Sequence, residues 1–182
     1  MRRQAETGVD ILTDGEQSKA GFSAYVRERL GGFELRPGAK IELFAAEVAA
    51  FPEYYEQYFK TAMFGGGVVP SAPMFCVGPV TYRGEAELRR DIANLKAAAA
   101  KVPHKAVFMP AIAPSGVGKN EYYRTEEEFI NAVGAALRTE YKAIADAGFL
   151  LQIDDPFLSD IFADETLARI SATSVPICMS RR

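Results

Sequence analysis

The sequence predicts an α/β protein built around a parallel sheet of about four strands, each followed by a helix. Short apolar runs alternate with helical segments, as they do in right-handed βαβ units. The runs are apolar throughout rather than alternately apolar and polar, which indicates strands covered by helices on both faces. Of the 182 residues, 48% are hydrophobic and 25% are charged, a balance typical of a globular domain with a buried core.

The first part of the chain predicts one strand and a long irregular segment. Met1–Thr7 is interpreted as the last turns of a helix, and Gly8–Glu16 as a buried strand that runs into a polar turn. Residues 22–30 predict a short helix ended by two glycines. Residues 33–72 show no sheet period and contain a predicted helix at Pro52–Phe64. This segment is interpreted as an insertion or lid-like segment, with a satellite cluster packed on the domain as the alternative.

Three further strands alternate with two long helices in the rest of the chain. The strands are predicted at Pro73–Thr81, Lys105–Pro110 and Phe149–Asp154, and the helices at Glu85–Lys101 and Thr125–Ala147. The second helix has the clearest pattern, with a capping box at its start and an apolar stripe along one face. The chain is interpreted as a single domain, residues 1–182, with a poorly defined tail at 161–182.

Composition and charge exclude several classes of protein. The chain has 21 Lys and Arg against 24 Asp and Glu, a net charge of −3, so no basic excess is available to neutralise nucleic-acid phosphates. No apolar run approaches the roughly 20 residues of a membrane span. The two cysteines, Cys76 and Cys178, are too few for a disulfide framework and suit a reducing compartment. We therefore expect a cytoplasmic protein with neither a nucleic-acid partner nor a membrane partner.

Carboxylates follow the first and the last predicted strands. Asp14 and Glu16 come after the first, and Asp154 and Asp155 come at the end of the last. Ligands of parallel α/β proteins bind where the carboxyl ends of the strands meet. These carboxylates are therefore candidates to bind the ammonium group of an amino acid, to hold a metal, or to act as acid and base. For Asp14 and Asp155 the alternative is that each caps a turn.

The sequence does not predict a self-contained metal site. His104 is the only histidine, and it precedes a strand, which places it at the opposite end of the sheet from the ligand side. Cys76 lies inside an apolar strand, where a cysteine behaves as a small hydrophobic residue. A zinc site needs three or four suitably placed ligands, and this chain shows no such motif.

Three motifs resemble the cobalamin-independent methionine synthase family. They are Val9–Glu16 with the following Tyr25 and Leu30–Phe33, then Gly78–Thr81, and then Gln152–Pro156. The resemblance runs from about Arg2 to Asp160. It implies an enzyme with a TIM (β/α)8 barrel. The enzyme would transfer a methyl group from the polyglutamate form of 5-methyltetrahydrofolate to the thiol of homocysteine, which is bound to zinc.

For this chain the resemblance implies a partial barrel of about four parallel βα units. Glu16 and Asp154 match acidic residues that contact the homocysteine amino group, whereas Asp155 stands where the family usually has Glu. The first barrel strand and the family's zinc ligands, which lie downstream and include a His-x-Cys pair, are absent from the sequence. We therefore expect a fragment that is inactive alone and that self-associates through exposed half-barrel surfaces.

Two other functions remain open at this stage. The first is a thiol alkyltransferase similar to the epoxyalkane:coenzyme M transferases, whose sulfonate-bearing acceptor would require cationic rather than acidic residues nearby. The second is a non-catalytic domain that binds amino-thiols. In each case the expected partner is a small-molecule thiol.

Overall fold

A computed structural model of the chain describes residues 1–39, 45–63 and 72–155. The longer helices are α5 (Glu85–Ala99) and α6 (Glu126–Asp146), and the shorter ones are α1 (Arg2–Glu6), α2 (Phe22–Arg29), α3 (Ala45–Ala50) and α4 (Pro52–Tyr58). The strands are β1 (Ile11–Leu12), β2 (Leu30–Leu35), β3 (Met74–Tyr82), β4 (Ala106–Ile112), β5 (Lys119–Asn120) and β6 (Leu150–Asp154). A π-helical turn at Phe59–Met63 and a 3-10 turn at Pro114–Gly116 complete the elements.

The parallel sheet has the strand order β1-β4-β6. Leu12 pairs with Val107, and five residues further along β4 Ile112 pairs with Asp154. Residues in register on neighbouring strands lie on the same face of a sheet. Helices α5 and α6 cover the face that carries Val107 and Met109. On the opposite face Ile11 and Leu150 are 45% and 52% exposed, so this face is only partly covered.

Strand β3 corrects the predicted topology. The sequence predicts it as the second strand of the parallel sheet, but it pairs antiparallel with β2 and parallel with the short β5 in a second sheet. The described residues therefore form two small sheets of three strands each, not a barrel of four parallel βα units. The Gly78–Thr81 motif consequently lies in the antiparallel pairing rather than at the carboxyl edge of the parallel sheet.

Two glycines explain why β2 was missed. The sequence predicts Gly31-Gly32 only as the end of a helix, whereas both residues are part of β2. A Cβ atom at Gly32 would lie 2.4 Å from the carbonyl oxygen of Pro79, and one at Gly31 would lie 2.6 Å from Oγ1 of Thr81. The absence of side chains therefore allows β2 to approach β3 closely, with a register shift between Gly31 and Phe33.

The predicted long helices are confirmed, and α6 joins the two sheets. Thr125 caps it: its side chain accepts a hydrogen bond from the backbone N–H of Glu128 at 3.1 Å. One part of the buried stripe, including Phe129 and Val133, packs against the core of the second sheet. Ile144, near the other end, packs in the core between the parallel sheet and α5.

The segment predicted as an insertion or lid is only partly described. The predicted helix at 52–64 corresponds to α4 followed by the π-helical turn, and Phe51 and Tyr54 are 64% and 61% exposed. Residues 40–44 and 64–71 lie outside the described residues, as does the predicted tail at 161–182. Within the described ranges every helix is too short or too polar to cross a membrane.

Candidate functional site

The loop after β1 contains the first pair of predicted site residues. Asp14 shapes this loop, because its carboxylate accepts hydrogen bonds from the backbone N–H of Glu16 at 2.9 Å and from the hydroxyl of Ser18 at 3.3 Å. Gly15 and Glu16 both adopt the left-handed conformation, with φ of 68° and 62°. That conformation is unfavourable for a residue with a Cβ atom, so the turn imposes strain on the partly buried Glu16. Asp14 therefore has the turn-capping role that the sequence left open.

The end of β6 contains the second pair. Nε2 of Gln152 donates to Oδ1 of Asp154 at 2.7 Å, and the two side chains share one face because they are two residues apart in a strand. The backbone N–H of Ala113 donates to the carbonyl of Asp154 at 2.9 Å, which joins the ends of β4 and β6. The Oδ1 atom of Asp155 is buried and has no hydrogen-bond partner.

The structure places the two pairs at the same edge of the parallel sheet but does not bring them together in one cluster. Asp14 and Glu16 follow Leu12, the last registered residue of β1, and β4 separates β1 from β6, so the two strands are about 10 Å apart. In residues 1–39, 45–63 and 72–155, no three His, Cys, Asp or Glu side chains are grouped so that they could hold a metal ion.

Two tyrosines that the sequence did not single out as site residues hold the end of β4. The hydroxyl of Tyr25 accepts a hydrogen bond from the backbone N–H of Ile112 at 2.9 Å, and the hydroxyl of Tyr141 donates to the carbonyl of the same residue. Burial and the nearby charges of Glu140 and Asp155 raise the pKa of Tyr141 to about 12. Burial and Glu140 also raise the pKa of Tyr25 well above its usual value. Both hydroxyls therefore keep their protons at neutral pH.

Ser115 is a further residue that sequence reasoning missed. Its Oγ atom is buried without a hydrogen-bond partner, as are Oδ1 of Asp155 and Oε1 of Glu140. Ser115 lies in the 3-10 turn after β4, and Asp155 directly follows β6, so these two oxygens belong to neighbouring strand ends. Unpaired buried polar atoms are rare in native proteins and often mark a missing water, ion or ligand. The only signal in the sequence was the position of Ser115 in the loop after a strand.

A buried charged cluster lies behind this edge, between α2, α5 and α6. Arg29 forms ion pairs with Asp91 and with Glu140, the latter at 3.2 Å. The hydroxyl of Tyr82 donates to the same oxygen of Glu140 at 2.8 Å. Burial opposes the positive charge, but the two carboxylates outweigh it and raise the pKa of Arg29. A Cβ atom at Gly84 would lie 2.5 Å from the Arg29 side chain, so this glycine provides the room that Arg29 needs.

The candidate metal ligands of the sequence do not form a zinc site. His104 is exposed, precedes β4 and has its Nδ1 atom 2.9 Å from the carbonyl of Val102. Cys76 is fully buried in the second sheet, its thiol donates to the carbonyl of Gly78 at 3.3 Å, and burial raises the pKa of that thiol. The described residues therefore do not fit the zinc ion that the resemblance implies.

The fold is a mixed α/β arrangement with carboxylates at the carboxyl edge of a parallel sheet. It is similar to the solved structure of a B12-independent methionine synthase from Shewanella sp. W3-18-1 in complex with selenomethionine, with a TM-score of 0.60 and 18% identity. The similarity covers 95% of this chain and 46% of that one, so the chain spans about half the length of the methionine synthase. At this identity the similarity concerns the fold alone. No family model matches the chain, and no curated protein does.

Proposed function

We propose that this chain binds the amino-acid acceptor of a methionine synthase-like methyl transfer, an amino-thiol such as homocysteine, at the carboxyl edge of its parallel sheet. The methyl donor of such a reaction is a methylated folate. The observation that carries the proposal is the pair of unpartnered buried oxygens, Ser115 Oγ and Asp155 Oδ1, beside Asp154. A hydroxyl that can donate and a carboxylate that can accept are thus left unpaired where ligands bind in parallel α/β proteins.

The carboxylates supply the charge for an ammonium group. Asp154 is oriented by Gln152, which leaves its other oxygen to accept from a ligand. Glu16 is held by a left-handed turn at the same edge of the sheet, but it does not cluster with Asp154, so Asp154 is the proposed contact of the ammonium group. The structural neighbour was solved with selenomethionine, which is an α-amino acid and carries such an ammonium group.

The proposal is limited to binding of the acceptor. The described residues do not provide a zinc site, so we assign to this chain no step of the methyl transfer itself. We expect the isolated chain to bind the amino-thiol without converting it.

The experiment is calorimetric titration of the whole chain with L-homocysteine under reducing conditions and in the presence of a chelator. Coenzyme M, a thiol with a sulfonate and no ammonium group, is the matched ligand control. We expect homocysteine to bind and coenzyme M not to bind, because the edge presents carboxylates. Tighter binding of coenzyme M would favour the alkyltransferase alternative and contradict the proposal.

Substitutions of single carboxylates test where homocysteine binds. We expect Asp154→Asn to weaken homocysteine binding about tenfold or more, since it removes a charged contact worth roughly 1.5–3 kcal/mol. Asp146→Asn is the control, because Asp146 is an exposed carboxylate at the end of α6 that pairs with Lys142. Equal affinities for Asp154→Asn, Asp146→Asn and the unaltered chain would overturn the assignment of the site.

A further inference from the structure

The buried cluster around Arg29 has more negative than positive charge. Its ion-paired members are one guanidinium and two carboxylates, those of Asp91 and Glu140. The side chains of Arg29 and Asp91 are each 5% exposed, and that of Glu140 is 1% exposed. Tyr82, whose hydroxyl donates to Glu140, contributes no charge. One negative charge is therefore left without a partner in the protein interior, where an uncompensated charge is strongly destabilising.

The excess charge coincides with an unpaired atom. Both hydrogen bonds to the Glu140 carboxylate, from Arg29 and from Tyr82, reach Oε2. The other oxygen, Oε1, is buried and has no partner. An ionised oxygen that is fully desolvated and unpaired is among the most costly arrangements a protein can hold.

Other charged side chains near the cluster do not neutralise it. The Nζ atom of Lys19 lies 5.3 Å from the centroid of the Tyr25 ring, and the Arg29 guanidinium lies 5.2 Å from the same centroid. The guanidinium of Arg83 donates to the backbone carbonyls at the end of α2. In the part of the chain that the structure describes, Arg29 is the one cation in ion-pair contact with Asp91 and Glu140, and Lys19, Arg83 and the neighbouring Arg90 form no ion pair with either.

One carboxylate of the cluster, that of Asp91, lines a surface cleft. Asp91 lines a cleft between α5 and the loop after β1, together with Asp14, Ser18, Asn94 and Arg90. Four of these five side chains offer oxygen atoms, so a small cation could approach Asp91 along the cleft.

We propose that Glu140 Oε1, together with Asp91, binds a small monovalent cation, namely potassium, sodium or ammonium. A single positive charge balances the one excess negative charge and supplies the missing partner of Oε1. A trapped water would donate a hydrogen bond to Oε1 but would leave the excess negative charge of the cluster uncompensated. A divalent ion would overcompensate the single excess negative charge. This inference does not depend on the proposed function.

The test measures thermal unfolding of the whole chain at one fixed ionic strength in chlorides of potassium, sodium, ammonium or choline. Choline is too large for the buried site. We expect a saturable rise in Tm with one or more of the small cations, of about 3–6 °C at a tenfold excess over the Kd. An identical Tm in all four salts would overturn the proposal and leave a trapped water or a proton as the partner of Oε1.

Two variants of the same helix make the test specific. Glu140→Gln keeps the oxygen that accepts from Arg29 and Tyr82 but removes the excess charge, so its Tm is expected to be independent of the cation. Asp146→Asn removes an exposed carboxylate of α6 and is expected to retain the dependence. Persistence of the full cation effect in Glu140→Gln would also overturn the proposal.

A direct measurement covers the case in which Glu140→Gln does not fold. Thallium(I) is a surrogate for potassium that can be followed by NMR on the unaltered chain. We expect one saturable site per chain from which potassium or ammonium displaces thallium. Absence of saturable binding would contradict the cation site whatever the behaviour of the variant.

Discussion

Nη1 of Arg29 lies 3.2 Å from Oε2 of Glu140, a contact that joins residues 111 positions apart in the chain. Arg29 is the last residue of α2, and β2 begins at the next residue. Because Asp91 of α5 binds the same guanidinium, one side chain connects three helices. It thereby ties the antiparallel pairing of β2 and β3 to the helices that cover the parallel sheet.

Removal of the Arg29 charge is expected to be strongly destabilising. Arg29→Met should lower the free energy of unfolding by about 3–5 kcal/mol, because it leaves two buried carboxylates without their cation. Urea denaturation followed by circular dichroism measures the change. Arg36→Met is the control, since Arg36 is partly exposed and its ion pairs with Glu34 and Glu121 lie at the surface. A loss no larger than that of the control would contradict the role of Arg29.

Alkaline pH is expected to destabilise the protein through Tyr141. Its pKa rises from 10.0 to about 12 on folding, so between these values the unfolded chain loses a proton that the folded protein keeps. The resulting stabilisation is present below pH 10 and is lost as the pH rises toward 12. We expect Tyr141→Phe to reduce the slope of stability against pH in this window, whereas Tyr122→Phe, at an exposed position, leaves it unchanged. Equal slopes for the two variants would be inconsistent with this role.

Close approach of β2 and β3 is expected to require a glycine at position 32. Gly32→Ala combines a left-handed φ of 91° with a Cβ atom 2.4 Å from the Pro79 carbonyl, and we expect a loss of about 2–4 kcal/mol in the free energy of unfolding. Gly38→Ala is the control, because Gly38 has a φ of 83° and nothing within 4 Å of the added atom. The difference between the two variants measures the contact alone, and a difference near zero would refute it.

Self-association is expected through the partly covered face of the parallel sheet. Ile11 and Leu150 are exposed on the same face, and among the described strands β1 and β6 form the two edges. Light scattering after size-exclusion chromatography should show a mass that rises with protein concentration. Leu150→Lys should shift the equilibrium toward the monomer, whereas Val77→Lys, on an exposed residue of the second sheet, should not. A monomer at all concentrations would rule this expectation out.

Local patterns predicted the parts of the fold that depend on neighbouring residues. The cap of α6 at Thr125 and its buried stripe can be deduced from a few adjacent positions, and both are present. The pairing of β2 with β3 joins residues 39 to 52 positions apart, and no local signal distinguishes a glycine pair that ends a helix from one that permits strands to approach. The predicted topology was wrong for β2 and β3 because their pairing has no local signal in the sequence.

For the candidate site, too, local patterns in the sequence indicated positions along the chain but not the long-range contacts of the side chains. The rule that ligands bind at strand ends selected Asp14, Glu16, Asp154 and Asp155, and the sequence left open the turn-capping alternative for Asp14 that its contacts in the structure support. Arg29 and Glu140 were missed because a charged residue on an otherwise apolar helix face gives no indication of its partner. Whether such a residue is buried depends on a contact that only the folded chain reveals.

The backbone of Ile112 is bound on its N–H by Tyr25 of α2 and on its carbonyl by Tyr141 of α6, and the next residue, Ala113, is bonded to Asp154. A displacement of either helix would therefore be transmitted through a single peptide to the carboxylate proposed to hold the ligand. Substitutions on the outer surfaces of these helices could change ligand affinity without touching the ligand. Conversely, a ligand bound at the strand ends would reduce the mobility of α2 and α6, two helices that are far apart in the chain.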